Sequence, residues 1–208
     1  MTIESNRTLG GIGAILLLIF PFAGIYTSIL GLVGLILVLI ALNGLANEYV
    51  ERRIFNNAIY GIIITIVGAI VAVALIVTAA FGILSVLGIE VSSWTDWSAL
   101  QNINVQNFTN WSAIAPYIAA IVGALAILFA CAVVGTFLLR RSLNVLSEKS
   151  GVHLFATTGL LMLIGAVLTI IAVGFILLWV SLILLAVAFF EMKTQPKQAQ
   201  TTQPPLPP

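Results

Sequence analysis

Three observations on this 208-residue chain predict an all-α integral membrane fold. Apolar residues make up 61% of it and charged residues 7%, where ordinary soluble domains carry roughly 25% charged residues. Mean hydropathy is +1.19. Four long apolar stretches, 9–45, 58–89, 113–139 and 154–190, are separated by polar segments. The expected architecture is a polytopic helical bundle of about six transmembrane helices. Two short-helix hairpins, 9–45 and 154–190, flank two longer spans, 58–89 and 113–139. A chain of this length forms one membrane domain, expected over 9–192.

Residues 1–8 are expected as a cytoplasmic N-terminal segment. They lack a basic n-region and a small-residue cleavage pattern, so no removable signal peptide is expected. The stretch 9–45 is too long for one span. As a straight helix it would reach about 55 Å at about 1.5 Å per residue, against about 30 Å of hydrocarbon. Pro21, followed by Phe22-Ala23-Gly24, divides it, because proline removes a backbone donor and clashes with the preceding turn. The linker 46–57 is expected to continue helically, with Glu48 and Arg52 paired at i,i+4. The stretches 58–89 and 113–139 each suit one tilted helix. Between 140 and 153, RRSLNVLSEKSGVH sets Leu143 and Leu146 apart from Arg141 and Lys149, which predicts a basic amphipathic turn on the inner leaflet. The last stretch, 154–190, is expected to fold as a second hairpin with its break near Gly174; the alternative for these stretches is a kinked single helix, or a re-entrant hairpin that does not fully cross. Ile164–Leu168 (IGAVL) repeats Ile12–Leu16 (IGAIL), a hint that the two hairpins are related. The segment 193–208 holds five of the seven prolines and is expected to be a disordered cytoplasmic tail with polyproline-II character near its end.

Charge predicts sides. The eight basic residues are Arg7, Arg52, Arg53, Arg140, Arg141, Lys149, Lys193 and Lys197, with none from 54 through 139. Lys and Arg collect on cytoplasmic loops. Both termini and the linkers 46–57 and 140–153 are therefore expected inside, and the loop 90–112 outside. An even number of crossings, or none, must separate Arg7 from Arg52, and Lys149 from Lys193. The hairpin reading satisfies this. The outside loop carries two adjoining N-glycosylation sequons, at Asn107 and Asn110, on the side where sugars are added. A third sequon, at Asn6, falls inside and is expected to stay bare. Trp94, Trp97 and Trp111, three of the four tryptophans, are expected as an interfacial aromatic belt.

The spans carry no Asp, Glu, His, Lys or Arg. Proton relays and ion-coupled carriers place such groups inside the bundle, so neither is indicated. His153 lies at the inner edge of the last hairpin and reads as a solvated or capping residue. Glu90 and Asp96 sit in a wet loop without a partner base. Gly10-Gly11-Ile12-Gly13 lacks the preceding strand that a nucleotide site needs. Cys131 is the single cysteine, so no intrachain disulfide or metal cluster follows. No catalytic residue, cofactor or metal ligand is expected, and a net charge of +1 gives no case for nucleic acid. Small residues do recur at spacing four: Ala115, Ala119 and Gly123, then Gly61, Thr65 and Ala69, then Ala74, Thr78 and Gly82. Such faces let helix backbones approach closely, within the chain or against another. Hydroxyls in the spans can bond back to their own helices at little cost or line a pathway for a neutral solute, and the sequence shows no convergence among them.

Three segments, ESNRTLGGIGAILLLI at 4–19, IFNNAIYG at 54–61 and LLMLIGAVLTIIAVGFILLWVSLILLAVAFF at 160–190, resemble the archaeal and bacterial membrane proteins grouped as domain of unknown function 996. The resemblance covers most of the chain except the loop 90–112 and the tail. It implies a multi-helix membrane protein and an archaeal source, and it carries over no functional residue. The function expected is that of a non-enzymatic accessory or structural subunit, whose partners are membrane lipid and other membrane chains or itself. The alternative is a carrier or channel for a small neutral or apolar solute.

Overall fold

The structure is a computed structural model, and it describes residues 3–22, 27–87 and 111–192. Those residues form six helices and no strand. They are α1 (Ile3–Ile19), α2 (Thr27–Glu48), α3 (Arg53–Val86), α4 (Trp111–Ser150), α5 (Leu154–Leu168) and α6 (Val173–Glu191). Five are long and apolar enough to cross a membrane: α2, α3, α4, α6, and α5 together with the turn that follows it. The fold is thus a polytopic helical bundle, as a multi-pass membrane protein requires. Helix α1 begins within the segment 1–8, so most of that segment is already helical.

Both expected hairpins form. After Ile19 the chain tightens into a 3₁₀ turn, Phe20–Phe22, that includes Pro21. The second break falls earlier than Gly174. A 3₁₀ turn occupies Thr169–Ile171, and Ala172 reverses the chain at φ 61°. Gly174 serves packing instead, because a Cβ there would collide with the backbone of Gly165 and Leu168. The sequence repeat has a structural counterpart. In the first hairpin a Cβ on Gly13 would lie 2.8 Å from the Gly34 carbonyl oxygen. In the second, a Cβ on Gly165 would lie 3.1 Å from that of Gly174. In each copy the glycine of the repeat meets a glycine on the returning helix, so the backbones approach without side chains between them.

Two linkers differ from expectation. The segment 46–57 does not continue helically. Helix α2 ends at Glu48, where the Glu51 N–H bonds to the Ala46 carbonyl and Val50 takes φ 53°, a Schellman-type stop. The expected Glu48–Arg52 pair is therefore replaced by Arg53 and Glu51, 3.8 Å apart. The segment 140–153 is not a surface turn. Helix α4 runs through it to Ser150, with Leu143 and Leu146 buried. They are buried because the core lies at this end of the molecule, where α2, α4 and α6 finish and α3 and α5 start.

That core gathers Leu42, Leu45, Ile54, Leu146, Phe155 and Phe189, all less than 2% exposed. The Phe155 and Phe189 rings meet edge to face at 5.2 Å. Each helix packs on two neighbours in the cycle α1–α2–α3–α4–α5–α6–α1. Helices α3 and α4 outrun the rest. At about 1.5 Å per residue they reach about 51 and 60 Å, against about 22 to 33 Å for the others. Their buried residues beyond Ala58 and before Ser142 are sparse and mostly small: Gly61, Gly68, Ala72 and Ala79 on α3, Ala124 and Gly135 on α4, with Ile114 near the start of α4 as the large exception. The two helices leave the core as a two-helix arm whose inner seam is built on small residues.

Candidate functional site

The polar residues of the described chain concentrate at the core end. Arg7, Arg52, Arg53, Arg140, Arg141 and Lys149 all belong to it, because the α2–α3 and α4–α5 turns, the start of α1 and the end of α6 converge there. Arg7 Nη1 donates to the Met192 carbonyl oxygen at 3.0 Å. This bond satisfies a carbonyl that the last turn of a helix leaves without an intrahelical partner. Asn6, one residue earlier, is fully buried against Gly44, whose missing side chain makes room for the amide. Neither Oδ1 nor Nδ2 of Asn6 has a hydrogen-bond partner.

On the same stretch of α2 a cavity of about 410 Å³ is lined by Ile40, Asn43, Gly44, Asn47 and Glu48. At the end of α2, burial and then the Glu48 carboxylate push the Tyr49 hydroxyl above the usual phenol range. The cavity offers amides and one carboxylate, suited to hydrogen bonding a small polar molecule. It presents no nucleophile with an adjacent base. No group of three His, Cys, Asp or Glu that could hold a metal occurs among the described residues.

The spans show where the hydroxyls go. Thr65 donates to the Gly61 carbonyl, Thr78 to Ala74, Thr136 to Ala132, Thr169 to Gly165 and Ser181 to Leu178. Each is used within its own helix, so these five do not converge on a pathway. Ser142 is different. Its hydroxyl donates across the seam to the Ile54 carbonyl.

The α3–α4 seam is antiparallel. Ile54 lies by Ser142, Gly61 by Gly135, Gly68 by Cys131 and Gly82 by Tyr117. A Cβ on Gly61 would stand 2.6 Å from the Gly135 carbonyl oxygen. On α3 the seam runs through 58, 61, 65, 68 and 72, alternating steps of three and four. This keeps it on one face, whereas spacing by four alone drifts away. Gly61 and Thr65 therefore belong to the seam, Ala69 is only half-buried, and Ala74 and Thr78 point outward. The stripe Ala115, Ala119, Gly123 also lies off the seam. Ala115 is half-buried and the other two are exposed, and nothing lies within 4 Å of a Cβ built on Gly123.

Trp111 opens α4 with 65% of its surface exposed. Trp94, Trp97, Asn107, Asn110 and the tail 193–208 lie outside the described residues. The residues that join the core end, Asn6, Arg7 and Gly44, were not singled out as a group by sequence. The available signal was the polar run Glu4-Ser5-Asn6-Arg7-Thr8 ahead of an apolar stretch, together with Asn43-Gly44 and Asn47-Glu48 at the end of the next one.

Comparison with known proteins places these features in a family. The family described as protein of unknown function (DUF996) matches residues 30–183. The segment 4–19 lies outside that match. A relative, Uncharacterized protein MJ1644 of Methanocaldococcus jannaschii, is 27% identical over 192 residues, covering 92% of this chain and 94% of the relative. No solved structure matches.

Proposed function

The chain belongs to the DUF996 family of proteins of unknown function, and on that footing we propose that it is a non-enzymatic structural or accessory membrane protein that packs its arm against another membrane chain. The observation that carries this reading is the outer face of α4. Small residues inside the molecule meet close neighbours: Gly61 meets Gly135, Gly68 meets Cys131, Gly82 meets Tyr117. Ala119 and Gly123 are as small, yet they are exposed and a Cβ on Gly123 meets nothing within 4 Å. Close backbone approach is what small-residue faces on membrane helices provide. In the proposed orientation the core end is cytoplasmic, the positive-inside rule supplying the side. The loop 90–112 is then external, with Asn107 and Asn110 open to glycosylation. An archaeal source is supported by the archaeal relative.

The test is the mass of the particle purified from its native membrane in mild detergent. A stoichiometric second protein, or a homo-oligomer that Gly123→Leu dissociates while the released chain keeps its helical content, supports the reading. A monodisperse single chain overturns it. A second reading, a carrier for a small neutral solute, draws on the cavity beside Asn43 and Asn47. Solute flux into liposomes that Asn43→Leu abolishes would favour the carrier.

A further inference from the structure

We propose that the α5–α6 hairpin is re-entrant: it enters the bilayer from the core end and its tip stops in the hydrocarbon, in contact with lipid acyl chains, short of the opposite headgroups. The ruler is α4. A Cβ on Gly159 of α5 would lie 3.0 Å from the Cα of Arg140, so Gly159 sits at the depth of the Arg140-Arg141 pair. Paired arginines next to an apolar span mark the headgroup boundary. From Gly159 to Leu168 is nine residues, about 14 Å of α-helix. The 3₁₀ turn Thr169–Ile171 adds about 6 Å at about 2 Å per residue. The tip thus stands about 20 Å deep in a layer about 30 Å thick, and tilt only lessens that depth. If Arg140 snorkels, so that its Cα lies a few ångströms inside the boundary, the tip still falls short. Leu154–Ile171 is long and apolar enough to cross, but its first five residues lie on the headgroup side of Gly159.

The tip is built for lipid. Ile170 is 73% exposed, Ile171 62%, Phe175 63% and Ile176 63%, and no charged residue occurs from His153 to Phe190. A turn standing in water is normally made of polar and turn-forming residues. In hydrocarbon, backbone groups must find partners inside the protein, and this turn supplies them. The Ala172 N–H bonds to the Thr169 carbonyl at 3.1 Å, and the Phe175 N–H to the Ala172 carbonyl at 3.2 Å. The Thr169 hydroxyl turns back to Gly165 at 2.9 Å.

Helix α4 crosses fully by the same measure. From Arg140 to Trp111 is 29 residues, about 43 Å. The α5–α6 tip therefore passes the midplane but stops about 10 Å short of the far boundary of a layer about 30 Å thick, and that last part of the opposite leaflet holds the arm without the tip.

The experiment uses the full chain with Cys131→Ala, reconstituted at high lipid excess. Single cysteines, Ile170→Cys and, as a second tip position, Phe175→Cys, carry a nitroxide, with Val50→Cys in the α2–α3 turn, 89% exposed at the charged end, as the water-exposed control. The expected result is collision with dissolved oxygen at both tip positions and loss of the nickel-chelate broadening seen at position 50. Both tip thiols should also lose labelling by an impermeant maleimide and regain it in denaturing detergent. Nickel broadening equal to that at position 50 would overturn the proposal, since the tip would then emerge into water. Shielding from both oxygen and nickel would overturn it as well, since protein, a second copy above all, would then cover the tip.

Discussion

Arg7 joins the two ends of the described chain: its guanidinium donates to the Met192 carbonyl while its own helix packs along α6. Hydrogen bonds to charged groups contribute about 1.5–3 kcal/mol, so Arg7→Ala should destabilise the purified protein by that order, measured as unfolding in mixed detergent. Arg7→Lys should recover part of the loss, because an ammonium can donate the same single bond to the Met192 carbonyl but is a compact, strongly hydrated charge that costs more to desolvate there than a guanidinium. Val50 is the opposite case. It is a β-branched residue at φ 53°, 89% exposed, in the position where helices prefer glycine. A left-handed conformation costs a side-chain-bearing residue about 1–2 kcal/mol. Val50→Gly should therefore raise the unfolding midpoint, with the gain reduced by the entropy that glycine adds to the unfolded chain.

At the scale of elements, the α3–α4 seam depends on the absence of side chains. Gly61→Ala puts a methyl group 2.6 Å from the Gly135 carbonyl oxygen, and backbone on both sides leaves nothing flexible to yield. Overpacking of this kind costs about 1–3 kcal/mol. Gly123→Ala meets open space, so the same substitution on the same arm should be neutral or should stabilise by up to about 1 kcal/mol through helix propensity. Thermal unfolding of the two variants side by side checks the pair. Equal losses would mean that the seam does not discriminate the two faces. The stripe of four that was legible in the sequence captured Gly61 and Thr65 but then left the seam at Ala69. A contact face must alternate threes and fours to follow 3.6 residues per turn, and which of several such faces finds a partner is not a local property.

For the whole molecule, one end carries the core and most of the described charge, and the arm carries the opposite end. The fully buried Asn6 is closed to an oligosaccharide in the folded chain whichever side it faces. In the proposed orientation Asn107 is the acceptor. Intact mass from native membranes should show glycan that Asn107→Gln removes, with Asn6→Gln without effect on it. An unmodified wild-type mass would count against an external 90–112 loop or against its use as an acceptor.

The sequence by itself determined the membrane class, the six helices and the Pro21 break, because burial in hydrocarbon forces continuous apolar runs and local backbone pairing. It also determined that the described basic residues share one end, since their positions along the chain bracket the hairpins. Tertiary structure decided what periodicity cannot. In spans apolar on every side, helix faces are nearly equivalent until neighbours select among them. That selection placed Gly174 in a helix–helix contact, so the reversal fell on Ala172. It drew Leu143 and Leu146 into the core, so α4 continued where a surface turn was expected. It also set Gly159 against Arg140, and the depth of a hairpin tip is fixed by what packs beside it, not by how many apolar residues the hairpin contains.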